Sequence, residues 1–165
     1  MNFGKLFAES KGKPISYKEK TLLLADRFPV EDREKLRICI ESTNSDRPQG
    51  LTIDITGSCE VQGKIYKKGK GIRMLFWEDA ELIDPKNIEI TVFTKIDHVL
   101  IYNIWEQTNQ YIADGMRESK SVEYWHSGAA MIVEEIENGR RYHCNDGYPD
   151  EDFDDIIFTV QKLAQ

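Results

Sequence analysis

The chain has 165 residues, of which 40% are hydrophobic and 31% charged, and its formal net charge is −7. Folding a chain of this length removes roughly 70% of its accessible surface from water, so a hydrophobic core forms without metals or disulfides. The composition excludes intrinsic disorder, and the acidity argues against direct nucleic-acid binding. No apolar run reaches the roughly 18 residues of a membrane helix. The N-terminus lacks the apolar segment of a signal peptide, so we expect a cytoplasmic protein with no membrane partner.

The first predicted element is a short N-terminal helix over Ser16–Phe28. Ser16 is a candidate N-cap, Glu19 follows at the capping-box spacing, and Pro29 ends the element. A strand at Leu22–Ala25 is the alternative. We expect a single domain over residues 1–165, with residues 1–30 as a candidate helical appendage.

The remainder of the chain is dominated by strand patterns. Residues 36–43 and 51–56 alternate between apolar and polar side chains, which is typical of half-buried strands. The later segments are rich in β-branched and aromatic residues. The predicted strands are Leu36–Thr43, Leu51–Thr56, the weaker Cys59–Tyr66, Ile72–Glu78, Ile88–Thr94, His98–Trp105, Val122–His126, Ala129–Ile136, Arg140–Asn145 and Ile156–Val160.

The segments between these strands carry turn signals. Residues 44–50 form a predicted hairpin-like loop, and Thr108–Lys120 is polar, which predicts a long loop or a single helical turn. Asn138-Gly139 is the strongest signal for a type I′ hairpin turn. No alternation of strands and helices indicates a parallel sheet. We therefore predict a mainly β fold, an antiparallel β-sandwich or strongly curved sheet of about nine strands.

Charge is distributed unevenly along the sequence. Residues 1–73 contain 15 Lys and Arg against 10 Asp and Glu, whereas residues 74–165 contain 7 against 19. The acids concentrate in residues 146–155, here called the carboxylate loop, between two predicted strands. A solvated turn that keeps the protein soluble is one interpretation. The other is a docking face for a basic protein, made by Asp146, Asp150, Glu151, Asp152, Asp154 and Asp155 with Tyr148 among them.

The residues usually found in catalytic and metal sites do not form a recognisable motif. The three cysteines have long spacings that argue against disulfides, and Cys39 is expected to be a small buried hydrophobe. His98, His126 and His143 lie on different predicted strands without zinc-site spacing. His143 and Cys144 would point to opposite faces of one strand, which weakens a catalytic dyad. No phosphate-binding loop or nucleophile elbow is present, so we expect no metal, no cofactor and no enzymatic activity.

Two adjacent aromatic residues precede the Ala129 strand. In a strand, Tyr124 and Trp125 would point to opposite faces, so one would be core and the other exposed. Because tryptophan and tyrosine are preferred anchors of protein interfaces, Trp125 is a candidate contact residue.

The C-terminal part of the chain resembles a known class of proteins. Residues Glu123–Glu135, Asn138–Gly147 and Asp150–Phe158 are similar to the C-terminal half of small bacterial immunity proteins of contact-dependent growth-inhibition and polymorphic toxin systems. The resemblance covers residues 122–160, and the first 110 residues share only a strand-rich character. It implies a cytoplasmic protein that binds a toxin domain and blocks its active or cofactor site. Many such toxins are nucleases with basic clefts.

The leading hypothesis is therefore an immunity protein that neutralises a cognate toxin domain through its acidic surface. One alternative is a carbohydrate- or small-ligand-binding β-sandwich that uses exposed tryptophan and Asp or Asn side chains. Another is a hydrolase or isomerase in which His126, His143 and Asp146 are the reactive groups. A concave pocket with converging His and Asp would support the enzyme, an aromatic trough would support sugar binding, and a convex acidic rim would support the immunity protein.

Overall fold

The structure, a computed structural model, describes residues 1–111, 117–148 and 150–164. The described chain is mainly β, with one short N-terminal helix. The elements are α1 (Phe3–Glu9), β1 (Ile15–Tyr17), β2 (Lys20–Leu22), β3 (Asp26–Pro29), β4 (Glu34–Thr43), β5 (Gln49–Ile55), β6 (Gly57–Val61), β7 (Lys64–Tyr66), β8 (Ile72–Trp77), β9 (Ile88–Thr94), β10 (His98–Tyr111), β11 (Arg117–Glu123), β12 (Ala130–Ile136), β13 (Gly139–Asn145) and β14 (Ile156–Lys162).

The strands form two main antiparallel sheets in a sandwich-like arrangement. The larger sheet has seven strands in the order β12-β13-β14-β4-β9-β6-β7. The smaller has the order β11-β10-β5-β8, and β3 pairs with the start of β10. A separate two-stranded ribbon joins β1 and β2. The prediction of a mainly β antiparallel fold is confirmed, although short strands that the sequence pattern merged or missed bring the described total to fourteen.

Alternating side chains build the core between the two sheets. In β4, Leu36 and Ile38 are fully buried while Arg37 is exposed, as the period of two predicts. The facing layer comes from Ile53 of β5 and Ile101 of β10, which are cross-strand neighbours. A smaller cluster lies beside this core, where α1 packs against the ribbon and the carboxylate loop through Phe3, Phe7, Leu22, Ala130 and Phe153.

The predicted helix at Ser16–Phe28 is wrong. This segment contains β1, β2 and the start of β3, while the helix lies earlier at Phe3–Glu9. Lys18 and Glu19, which were expected inside the helix, have φ of 47° and 64° and form the turn between β1 and β2. Positive φ at both central residues is what a tight hairpin requires. The segment forms this hairpin despite its capping-box spacing, because the hairpin buries Leu22 in a cluster with Phe3 and Phe7.

Residues 44–50 do not join a hairpin. β4 belongs to the larger sheet and β5 to the smaller sheet, so the connection crosses from one layer of the sandwich to the other. The alternation of each strand was predicted correctly, but pairing depends on tertiary packing. The crossing loop contacts the carboxylate loop, as described below.

Two further predictions need correction. β10 extends to Tyr111 and pairs with β11, so much of the polar segment 108–120 is strand rather than loop; residues 112–116 lie outside the described residues. The β12–β13 hairpin exists, but its turn is formed by Glu137 and Asn138, and of these only Asn138 has positive φ. Gly139 is instead required by packing, because a Cβ there would lie 2.0 Å from the Val160 carbonyl oxygen.

The cysteines form no disulfide. Cys59 and Cys144 are buried, whereas Cys39 is half-buried on the outward face of β4, so the expectation that it is a core residue is wrong. Burial raises the pKa of the Cys59 thiol to about 12. In the part of the chain that the structure describes, no helix has both the length and the apolar character needed to span a bilayer.

Candidate functional site

The carboxylate loop connects β13 to β14 at one end of the larger sheet. Three other segments contact it: the crossing loop 44–50, the segment 124–128 after β11, and the N-terminal region. The Gly128 N–H donates to the Gly147 carbonyl at 3.2 Å, and the Asn44 N–H donates to the Asp155 carbonyl at 3.0 Å. The loop is thus attached to both layers of the sandwich rather than projecting from one hairpin.

Asp146 fixes the start of the loop from the inside. Its side chain is fully buried, and its Oδ2 accepts hydrogen bonds from Ser45 Oγ at 2.9 Å and from Gln49 Nε2 at 3.2 Å. Its Oδ1 accepts the Tyr148 N–H at 2.9 Å. A buried carboxylate is tolerated where several donors compensate for its desolvation. Asp146 therefore ties the loop to the crossing loop that lies about a hundred positions earlier in sequence.

The end of the loop is held by Asp155 and Asn145. Asp155 is 2% exposed, and its Oδ2 accepts the Asp146 N–H at 2.8 Å. Asn145 Oδ1 accepts the Phe153 N–H at 2.7 Å, and the Asn145 carbonyl accepts Asn103 Nδ2 at 2.9 Å. Side-chain acceptors thus bind the backbone N–H groups of Asp146, Tyr148 and Phe153, which limits the conformations open to these parts of the loop.

Burial corrects part of the predicted acidic face. Asp146 and Asp155 were expected on the exposed surface, but both are buried and bond to the protein itself. Their role in the fold is to position the loop. The sequence could not separate them from their neighbours because buried and exposed aspartates share the same acidic run.

The exposed side of the loop carries the remaining predicted residues. Asp150 and Asp152 are exposed, and Asp154 is half-buried with its Oδ2 accepting Asn44 Nδ2 at 3.0 Å. Tyr148 is 54% exposed, and the Arg47 guanidinium lies 3.8 Å from its ring centroid. This cation–π contact orients the tyrosine ring without burying it.

Glu151 has a different position from the other acids. Its carboxylate lies 3.3 Å from Lys18 Nζ and 3.9 Å from the N-terminal amine. A hydrogen bond with Tyr17 is the largest cause that lowers the pKa of Glu151, and Lys18 and the N-terminal amine lower it further. Its charge is therefore partly neutralised within the molecule, and it connects the loop to the β1–β2 turn.

Burial and neighbouring carboxylates raise the pKa of two aspartates of the loop. Burial, followed by the Asp154 and Asp150 carboxylates, raises the pKa of Asp152 to about 6. Burial raises the pKa of Asp155 to about 7; the hydrogen bond from the Asp146 N–H opposes this shift, and the charges of Asp146, Asp150 and Asp152 add to it. Desolvation disfavours the ionised form of a carboxyl group, and nearby carboxylates disfavour it further.

Three of these carboxylates are close enough to share a cation. One oxygen from each of Asp150, Asp152 and Asp155 lies within 4.8 Å of the others. Asp150 and Asp155 also line an open cavity of about 390 Å³ together with Asp46, Tyr148 and the crossing loop. Oxygen ligands of this kind suit Mg²⁺ or Ca²⁺, so these are the residues of this site that could hold a metal.

Trp125 lies in the segment that the Gly128–Gly147 hydrogen bond joins to the loop. It is 39% exposed and has φ of 60°. Its ring packs 4.7 Å from Tyr102 and 5.3 Å from Tyr124 between centroids, at interplanar angles of 54° and 86°. β11 ends at Glu123, so the strand predicted through His126 is too long. Tyr124 and Trp125 consequently contact each other instead of pointing to opposite faces.

The three predicted reactive groups have different surroundings. His126 Nε2 lies 3.1 Å from Glu123 and its Nδ1 3.0 Å from Ser127 Oγ, while His143 Nε2 lies 3.0 Å from Glu134 on the β12–β13 hairpin. Asp146 contacts neither histidine through its described hydrogen bonds. Cys144 is buried beside the half-buried His143, so the expected opposite orientation of these two is confirmed.

Sequence reasoning missed the residues that hold the loop from other elements: Asn44, Ser45, Arg47, Gln49 and Asn103. They are ordinary polar residues at positions remote in sequence. The only available signal was the run of Asn, Ser and Asp in the crossing loop, a composition that also suits a plain turn.

Gly147 is a further positioning residue. A Cβ at this position would lie 2.8 Å from Trp105 Cζ2, so the loop backbone lies directly against that buried indole. The His126 ring packs against the same indole, with centroids 5.1 Å apart. Compared with family models, with curated proteins and with solved structures, the chain has no match.

Proposed function

We propose that this protein is a cytoplasmic, non-enzymatic immunity protein that binds a cognate bacterial toxin domain and blocks its basic cleft with the carboxylate loop. The observation that carries the proposal is a set of exposed carboxylates on a loop whose backbone is fixed from inside. Asp150 and Asp152 face solvent, while Asp146 and Asp155 accept the buried hydrogen bonds.

Electrostatics give this arrangement a physical advantage for inhibition. The carboxylates of Asp150 and Asp152 are exposed and close together, and they concentrate negative charge on the solvent side of the loop. A nuclease cleft is positive because it holds phosphate, and complementary charge accelerates association toward about 10⁸ M⁻¹s⁻¹ at low salt. Fast capture suits a protein that must intercept an incoming toxin.

The surface extends beyond the carboxylate loop. Asp46 of the crossing loop is exposed and lines the same cavity as Asp150. Tyr148 and Trp125 supply exposed aromatic area on the two joined segments. Buried aromatic anchors slow dissociation, whereas rim charges mainly set the association rate.

The experiment that tests this proposal uses the variant Asp150→Lys/Asp152→Lys/Asp154→Lys. The neighbouring genes are first searched for a secreted protein with a toxin domain. The purified C-terminal domain of that protein is the probe, and stopped-flow association is measured over a series of salt concentrations. At low salt we expect the association rate constant of the variant to be lower than that of wild type by a factor of about ten or more. We also expect this rate constant to depend less on salt concentration.

The matched control is a variant with the same change in net charge at three glutamates outside the carboxylate loop. Glu31, Glu60 and Glu137 form no ion pair among the described residues, so Glu31→Lys/Glu60→Lys/Glu137→Lys should change the association rate much less. Equal rates for wild type and the loop variant at low salt would refute the proposed acidic interface. Failure of the wild-type protein to inhibit the toxin domain would refute the function.

The aromatic cluster gives the carbohydrate alternative little support. Tyr102, Tyr124 and Trp125 pack on one another at angles between 43° and 86°, and Tyr102 is almost fully buried. A sugar ring stacks on a flat exposed aromatic face, and these three rings, tilted against one another, form no shared flat face.

A further inference from the structure

β8 is an edge strand of the smaller sheet, with backbone groups that have no strand partner. It pairs only with β5 among the described strands, and the Glu78 N–H continues this ladder to the Gln49 carbonyl at 2.9 Å. In an antiparallel ladder alternate residues bond to the neighbouring strand. Because Glu78 bonds to β5, the N–H and C=O groups of Arg73 and Leu75 point away from the sheet.

An apolar groove lies beside this edge. It has a volume of about 220 Å³ and runs between β8 and β7, the terminal strand of the larger sheet. Tyr66, Met74, Phe76 and Ile83 are among its lining residues. Leu75 is 39% exposed here. Exposed edges with apolar side chains are sites at which another strand adds to a sheet.

The two ends of β8 carry opposite charge. The basic turn before it, residues 67–71, contains Lys67, Lys68 and Lys70, all exposed and without an ion pair among the described residues. The acidic turn after it, residues 78–81, contains the exposed Asp79 and Glu81. The edge is therefore polarised from basic to acidic along the direction of the strand.

We propose that this edge binds a second copy of the same chain, by antiparallel pairing of β8 with β8 about a two-fold axis at Leu75. Antiparallel pairing reverses one strand, so the basic turn of each copy lies beside the acidic turn of the other. Leu75 then meets Leu75 of the second copy, and Arg73 lies opposite Trp77. The two smaller sheets become one continuous sheet.

Charge complementarity selects this occupant over a purely acidic or purely basic peptide. A peptide of one sign would be attracted at one end of β8 and repelled at the other. In a two-fold pairing the basic turn of each copy contacts the acidic turn of the other, so two attractive contacts form. This is the self-complementarity that a symmetric interface requires. The proposal does not depend on the proposed immunity function, since its tests use the purified chain alone.

The first test measures mass by sedimentation equilibrium between about 1 μM and about 1 mM. We expect the mass to rise from 19.1 kDa toward twice that value as concentration increases. Leu75→Lys places two like charges together at the axis and should abolish the rise. The matched control is Ile96→Lys, which adds the same charge at an equally exposed side chain, 39%, outside β8. A wild-type mass that stays at 19.1 kDa overturns the proposal.

A second test measures restored pairing between two complementary variants, so a positive result cannot come from the unfolding of one of them. Lys68→Glu/Lys70→Glu should be monomeric alone, and Asp79→Lys/Glu81→Lys should be monomeric alone, because each pairs like charges with itself. Mixed together, the two should form a heterodimer, since both contacts are then attractive. Absence of the heterodimer, with both variants folded by circular dichroism, overturns the proposed register.

Discussion

The carboxylate loop and the β8 edge are both charged surfaces, but different interactions hold them in place. Buried side-chain acceptors such as Asp146 and Asp155 position the loop. The β8 edge is positioned by its backbone ladder to β5 and by core side chains such as Phe76. Charged side chains therefore help to hold the loop in place, whereas the charged residues at the ends of β8 do not hold that strand. Substitutions of charged residues should accordingly lower the stability of the protein more in the loop than at the β8 edge.

The largest expected effect is at Asp146. Asp146→Ala removes the acceptor shared by Ser45, Gln49 and the Tyr148 N–H, and leaves the buried Gln49 Nε2 without this partner. We expect a loss of about 2–4 kcal/mol in the free energy of unfolding, measured by urea denaturation. Asp150→Ala is the control, because this exposed side chain should change stability by no more than about 0.5 kcal/mol. Equal effects at the two positions would contradict the division into positioning and exposed carboxylates.

A pH dependence should follow from Asp155. Its pKa in the folded protein is raised to about 7, so the folded state binds this proton more tightly than the unfolded state, whose pKa is near 4. The stability it contributes is present below pH 4 and is lost as pH rises through about 7. Relative to Asp155→Asn, wild type should lose up to about 4 kcal/mol of unfolding free energy between pH 4 and pH 8, because the two pKa values differ by about 3 units and each unit corresponds to about 1.4 kcal/mol. The comparison removes the contribution of carboxylates that do not interact with Asp155, and a difference independent of pH would contradict this assignment.

The smallest effect is expected in the basic turn. Lys68 and Lys70 are exposed and have no described ion pair, so Lys68→Ala/Lys70→Ala should change the unfolding free energy by no more than about 0.5 kcal/mol at dilute concentration. Thermal denaturation at low and high salt is the measurement. A loss above about 1 kcal/mol would show that these lysines support the fold, and the contrast with the carboxylate loop would fail.

The strands show which features of the sequence could be used for prediction. Ile88–Thr94 was predicted with the bounds of β9, and the alternation of β4 placed Leu36 and Ile38 correctly in the core. The period of two reports burial on one face and is a local property of the chain. The prediction of a helix at Ser16–Phe28 failed because it relied on a local capping pattern, whereas the structure of this segment depends on the packing of Leu22 on α1. Pairing across the sandwich, such as the separation of β4 from β5, has no local signal.

The sequence by itself determined that this chain forms antiparallel strands and concentrates carboxylates between β13 and β14, because residue composition and alternation are written in adjacent positions. The tertiary structure decided which carboxylates face solvent. Asp146 is buried, and its carboxylate is bonded by Ser45 from the crossing loop and by Gln49 from β5 in the other layer of the sandwich. The tertiary structure also decided that β8 is left at an edge, with opposite charges at its two ends. Burial and edge position depend on contacts between residues distant in sequence, and a linear pattern of residue types does not specify those contacts.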